Sequence, residues 1–212
     1  SNLSVSDVVF GIAPRINAAG RIEHAKKAVE LLVENDYEKA KSLAVSIEEN
    51  NLTRRELDKN ITEEALEMID KTKKSTVVFS ENWHKGVVGI VASRLIEKHY
   101  KPTIVLSENN GILTGSARSV HDFDLYKAIS KCAHLCEKFG GHKYAAGLSI
   151  KKDNLDEFII QFENAVAETI TKDQLSPKIN IDTIIDIEEV NDKLFRILQQ
   201  FSPFGPKNLS PI

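Results

Sequence analysis

The sequence predicts an α/β protein, a mixed β-sheet flanked by helices with one long helix in front of it. Three observations point there. Two short β-branched runs, Thr76–Ser80 and Thr103–Ser107, read as buried strands. Between them Val88, Val91, Ala92, Leu95 and Ile96 recur at helical spacing, giving the strand–helix–strand alternation of an α/β module. Glu108-Asn109-Asn110-Gly111 then carries the Asn-Gly hairpin signal, so Ile112–Arg118 should be a third strand.

Taken in order, residues 3–14 show little periodicity and end at Pro14. Asn17–Arg21 reads as a glycine-bearing turn, with Arg15 and Arg21 on either side of small residues. Ala25–Val33 is a short amphipathic helix, broken at Asn35-Asp36, where Asp36 can cap the next one. Tyr37–Lys71 is the longest element, apolar at both ends and almost wholly polar from Glu48 to Glu56. That pattern fits a connector helix bridging two bodies, or two helices broken near Asn50-Asn51. His84–Tyr100 reads as a helix ended by Pro102. Asp124–Phe139 also reads as a helix, Ala145–Lys151 as a fourth strand, and Leu155–Ile170 as an amphipathic helix. Gln174–Pro177 is a linker, Ile179–Asp186 alternates like a strand, and Val190–Phe201 reads as a helix before a turn at Pro203-Phe204-Gly205-Pro206.

Composition sets the class. The 212 residues are 42% hydrophobic and 28% charged, ordinary for a globular protein with a real core. The net charge of -3 gives no global bias towards nucleic acid or membrane, but its distribution is uneven. From His84 to Lys151 ten basic side chains face five acidic ones, a local excess of +5 that leaves −8 for the rest. A basic module between acidic flanks suits a local polyanion site, and equally a set of solvated lysines. Cys132 and Cys136 lie four apart in a stretch that reads as helix, a poor geometry for a disulfide and too few ligands for zinc. Reduced thiols in a cytoplasmic protein are the expectation. No apolar run could span a membrane, and no signal peptide opens the chain. The first residue is Ser, with Ser1-Asn2 reading as a cloning remnant, so we expect an excised piece of a longer protein.

Chemistry gathers at four glycine-bearing turns: Asn17–Arg21, Trp83-His84-Lys85-Gly86, Gly115–Ser119, and Gly140-Gly141-His142. In α/β sheets, ligands collect outside strand ends and at helix N-termini. These turns offer Arg, Lys, His and backbone N–H donors with almost no carboxylate among them, which suits phosphate. Trp83 is either a base-stacking platform or a half-buried anchor. Phosphodiester hydrolysis usually relies on metals held by Asp and His clusters, and the sequence carries no such cluster. It has no P-loop, nucleophile elbow or dinucleotide fingerprint either. The residues alone support a phosphate- or nucleic-acid-binding α/β module.

Several long motifs also occur together and in order: Pro14-Arg15-Ile16-Asn17-Ala18-Ala19-Gly20-Arg21, Trp83–Arg94, Gly115-Ser116-Ala117-Arg118-Ser119, and Phe139–Gly147. In these the chain resembles the RecJ family of single-strand-specific 5′→3′ DNA exonucleases, in the DHH phosphoesterase superfamily. The resemblance covers nearly the whole chain. It implies the end of a DHH catalytic domain at 1–36, a connector helix at 37–72, a DHH-associated domain at 73–172, and the start of an OB-fold region at 173–212. It implies Mn2+ or Mg2+ as cofactor, with the metal ligands on a domain outside this chain and no metal ligand in it. His142 and Arg118 would then face the scissile phosphate as catalytic residues. Gly140, Gly141, Lys143, Ser116, Ser119, His84, Arg15, Asn17 and Arg21 would bind substrate, with Arg15 and Arg21 equally able to serve as structural ion-pair partners. Single-stranded DNA is the expected partner, in DNA repair and recombination, with a single-strand-binding protein or helicase beside it and no membrane. The competing readings are an oligoribonuclease or cyclic-dinucleotide phosphodiesterase of the same superfamily, or a non-catalytic nucleic-acid-binding module.

Overall fold

The fold comes from a computed structural model that describes residues 5, 7–205 and 208–212. Ser1-Asn2 and Pro206 of the closing turn lie outside the described residues.

After a π-helical turn at Asp7–Ile12 come α1 (Ala13–Ile22), α2 (Lys26–Val33) and α3 (Tyr37–Glu67). The expected Asn17–Arg21 turn is instead part of α1. Pro14 starts that helix at a position where no intrahelical N–H is lost, and Ala18 and Ala19 are buried on its inner side. α3 is one unbroken helix of 31 residues, about 46 Å long at 1.5 Å per residue. Asp36 caps it as its type predicts, accepting a hydrogen bond from the Lys39 N–H at 2.8 Å. Its first half carries Ile47 against Ala19 and Ala28, and its second half carries Ile61 and Ala65 against α4. The polar stretch between them is therefore the middle of one continuous helix, not a break.

The sheet has five strands: β1 (Thr76–Ser80), β2 (Thr103–Asn109), β3 (Ile112–Arg118), β4 (Cys136–His142) and β5 (Ala145–Lys151), in the order β1-β2-β3-β5-β4. β1 and β2 are parallel and joined by α4 (Val88–His99), and all other pairings are antiparallel. The β2–β3 hairpin turns on Asn110 and Gly111, both at positive φ (52° and 78°), the backbone a tight two-residue turn of this hand requires. α4 starts four residues later than expected. Trp83–Val87 winds its own turn, in which the Gly86 N–H donates to His84 Nδ1 at 3.1 Å. Trp83 is a buried anchor, its indole N–H donating to Glu64 at 2.8 Å.

The expected helix over Asp124–Phe139 is the largest correction. α5 spans only Leu125–Lys131, followed by a 3-10 turn at Ala133–Leu135, and Cys136–His142 is the edge strand β4. β5 offers a free edge to pair with, and a register shift between Cys136 and Lys138 lets Cys136 and Phe139 both reach the core from a strand. Cys132 and Cys136 therefore do not share a helical face, and both are free thiols. α6 (Leu155–Thr169) lies with α5 on one side of the sheet, burying Phe158, Phe162, Leu113, Leu148 and Ile150 in one cluster. α4, backed by α3, covers the other side over β2 and β3. The strand expected at Ile179–Asp186 does not form among the described residues. Strand identity requires a ladder partner, and Asp182 instead makes a single backbone bond to Ile212 O. α7 (Asp192–Gln199) closes the order of elements.

Candidate nucleic-acid-binding site

The site is built on the side of β3, β5 and β4 that α5 and α6 leave free. Register brings its residues together. Arg118 pairs with Ala145, and Ala145 pairs with His142, so the arginine and the histidine close one row two strand spacings apart, about 10 Å. One step along, Ser116, Gly147 and Gly140 form the next row, and Thr114, Ser149 and Lys138 the third. Thr114, Gly140, His142 and Gly147 are exposed. A hollow of about 280 Å³ lies over the Gly140–Gly147 pair, where no side chain keeps a ligand off the backbone.

A bulge puts β4's residues there. The register shifts between Cys136 and Lys138, so two residues of β4 oppose one of β5. Cys136 and Phe139 can then both pack into the core, Phe139 with its ring 5.6 Å from that of Tyr126. Lys138, Gly140 and His142 turn to the open side. Gly141 sits at φ 153°, and a Cβ there would lie 2.3 Å from the Ala145 carbonyl oxygen, so only glycine closes the hairpin this way. The Tyr144 N–H donates to His142 Nδ1 at 3.2 Å, which leaves Nε2 to carry the proton of the neutral ring and to donate outward.

The other corner of the site is where α1 meets the start of α4. Arg21 Nη1 donates to Gly86 O at 3.3 Å. A Cβ on Gly86 would stand 2.2 Å from Arg21 O, so this close approach needs glycine. Arg118 Nη1 donates to Ser116 Oγ at 2.7 Å and to Ala117 O at 2.8 Å. Its guanidinium lies over Gly89 in the first turn of α4. Burial, then repulsion from Arg21, holds the Arg118 pKa below its usual value, while leaving it charged at any physiological pH. Among the described residues neither Arg21 nor Arg118 has a carboxylate partner. Two cations kept close without an anion between them form a site for one.

Not every expected residue joins this group. Arg15 is held by Glu48, with a further bond to Gly11 O at 2.6 Å, which is the ion-pair alternative. Lys143 is paired with Asp122 at 3.2 Å and lies over the Tyr144 ring. Ser119 spends its hydroxyl on Phe123 O at 2.8 Å. His84 is turned into its own loop, and Asn17 is exposed on α1. Lys138 and Thr114 belong to the open face although no sequence signal singled them out, while Ser149 in the same row is buried, its hydroxyl 3.1 Å from that of Thr114. Among the described residues no group of three or more His, Cys, Asp or Glu could hold a metal ion, so these side chains do not fit a metal centre. No helix among them is long and apolar enough to cross a membrane.

Comparison with known proteins agrees with this fold. The family model of the DHHA1 domain matches residues 71–168. RecJ, named a single-stranded-DNA-specific exonuclease, is 36% identical in Bacillus subtilis over 96% of this chain and 27% of that protein. RecJ of Dickeya dadantii is 35% identical over 97% of this chain and 38% of its own length. The crystal structure of Thermus thermophilus RecJ in complex with Mg2+ superimposes with a TM-score of 0.89 at 29% identity, covering 97% of this chain and 32% of that one. The same protein with Mn2+ gives the same TM-score. The chain thus spans roughly a quarter to two fifths of the relatives it matches. It belongs to the RecJ family of the DHH superfamily, as a segment built around the DHHA1 domain.

Proposed function

We propose that this chain is the substrate-binding part of a metal-dependent 5′→3′ exonuclease acting on single-stranded DNA in repair and recombination, in the cytoplasm. What carries the reading is the Arg118–Ala145–His142 row on an open sheet face, with Arg21 beside it and no carboxylate partner for either arginine among the described residues. Arg118 and His142 Nε2–H donate to the non-bridging oxygens of the scissile phosphate, and Arg21 holds a neighbouring phosphate. Ser116 fixes the guanidinium, and the Gly140–Gly147 pair lets the strand lie close to the backbone. Such donors, fixed before reaction, stabilise the charge that grows in the transition state. Mg2+ or Mn2+ would be held by residues outside those described and would activate water there; no step through a metal is assigned to this chain. In this reading 1–36 end a catalytic domain, 37–72 connect, 73–172 bind substrate and 173–212 lead towards an OB-fold, with a single-strand-binding protein or helicase as a further partner.

Two measurements test it. In the full-length enzyme, His142→Ala should slow cleavage of 5′-ended single strands by about 100-fold or more, as loss of one transition-state donor does elsewhere; an unchanged rate sinks the role. The 212-residue chain should bind single-stranded oligonucleotides weakly, with affinity falling steeply as salt rises and reduced at least fivefold or so by Arg118→Gln, because phosphate contacts release counterions. Salt-independent binding, or binding indifferent to Arg118→Gln, overturns the reading.

A further inference from the structure

The loop between β3 and α5, residues 119–124, does more than connect. Val120 and Phe123 anchor it in the core, and the Ser119 hydroxyl donates to Phe123 O at 2.8 Å to close it. Between those anchors Asp122 sits at φ 61°, a left-handed backbone that glycine adopts freely and other residues only against strain. Glycine would make the same turn with less strain, so the aspartate is explained by what its carboxylate touches. Strain of this kind collects where a side chain is needed for function.

The carboxylate meets the tip of the β4–β5 hairpin. Asp122 Oδ1 lies 3.2 Å from Lys143 Nζ and 3.5 Å from the Tyr144 hydroxyl oxygen. Lys143 Nζ in turn stands 5.2 Å from the centre of the Tyr144 ring. The hydrogen bond from Lys143, then His121 beside it, holds the Asp122 carboxyl below its usual range, so it is ionised at neutral pH. The segment also grips the backbone of the tip. The Ser119 N–H donates to Tyr144 O at 3.0 Å, and the Leu125 N–H donates to Lys143 O at 3.1 Å.

Tyr144 is the residue that aims His142, its N–H donating to His142 Nδ1 at 3.2 Å. Ser119 directly follows Arg118, so the chain that carries the guanidinium also holds the residue that orients the imidazole. We propose that Asp122 is a positioning residue, fixing the Lys143-Tyr144 tip so that the His142 ring keeps Nε2 outward and at a set distance from Arg118. Two donors on different strands are then held in one geometry by a supporting shell, as a site that acts without rearrangement requires. The role rests on the exonuclease reading for its purpose, because that reading aims Nε2 at phosphate. The hold on the ring can be measured without it.

Ring 15N spectra of the 15N-labelled 212-residue chain at pH 8 test it, with the His142 signals assigned by their loss in His142→Ala. The parent should show one protonated and one bare ring nitrogen, the pattern of a ring locked with its proton on Nε2. Asp122→Gly keeps the turn and removes the carboxylate, so the two nitrogen shifts should move towards each other as the tautomers exchange. Asp122→Asn, which keeps an acceptor without the charge, should fall between. Affinity for a single-stranded oligonucleotide should drop about threefold in Asp122→Gly, the scale of one exposed ion pair. It should drop no further where His142→Ala is already present, because both changes remove the same donor. An unchanged ring spectrum in Asp122→Gly overturns the proposal, and so does a loss of affinity that adds in full to that of His142→Ala. Should His142→Ala leave affinity untouched, the phosphate role of His142 falls, and the ring spectrum alone then upholds or overturns the hold by Asp122.

Discussion

Leu113 and Ala117 of β3 are fully buried, while Thr114, Ser116 and Arg118 between and beyond them face away from α5 and α6. β5 repeats the contrast, with Ala146, Leu148 and Ile150 inward and Ala145 and Gly147 outward. One set of strands thus carries two faces built for opposite ends. The covered face excludes water from large apolar side chains, each contributing about 1.5–3 kcal/mol to stability. The open face does without large apolar groups and keeps Ser, Gly, Lys, His and Arg where a phosphate backbone could lie. Alternation along a strand makes this possible, because each residue commits to one face without disturbing its neighbours.

If the division holds, the largest stability effects belong to the covered face. Phe162 is fully buried and stacks on Phe158 at 5.9 Å between ring centres. Phe162→Ala should cost about 3–5 kcal/mol, read as a fall in the urea midpoint at unchanged slope. A loss under 1 kcal/mol would mean that α6 is not what holds this face together.

A smaller effect on the same face depends on pH. Cys132 is fully buried, and burial pushes its thiol from 9.0 up to about 11, with Cys136 nearby adding to the rise. A raised pKa favours the folded state while the thiol stays protonated. That contribution is complete below pH 9 and is lost as pH climbs through about 11, to the extent of about 2 kcal/mol. Unfolding titrations from pH 8 to 11 should show the decline, and Cys132→Ala should remove this part of it. An identical decline in the variant would place the titrating group elsewhere.

The sequence made the covered face easier to read than the open one, and β4 shows why. β1 and β3 are legible to the residue, since β-branched runs and the Asn-Gly turn are local signals. α6 is legible from its stripe. β4 is not, because its bulge sets apolar Cys136 and Phe139 three residues apart. With Ile129, Cys132 and Leu135 before them, they continue a helical period into what is a strand. Misreading that phase hid Lys138 and left Gly140-Gly141-His142 as a loop. The meeting of Arg118 with His142 depends on strand register, and that of Arg21 with Gly86 on the packing of α1 against α4's turn. Neither is a local property. The chemical types at those positions were legible from the residues, and their convergence only through the family resemblance.

The weakest stability effect should come from the open face, and it is the sharpest test of the contrast. His142 is exposed at the end of an edge strand, and the one side-chain hydrogen bond it makes among the described residues, accepting from the Tyr144 N–H, can pass to water. His142→Ala should therefore change folding free energy by no more than about 0.5 kcal/mol, measured by the same urea titration as Phe162→Ala. A side chain kept on a folded surface at so little benefit to folding is free to serve a ligand. Should His142→Ala instead cost 2 kcal/mol or more, the imidazole would be a structural clamp on the β4–β5 hairpin. The loss of cleavage expected from that variant would then be a folding defect, and Arg118 with Arg21 would be left to carry the phosphate site.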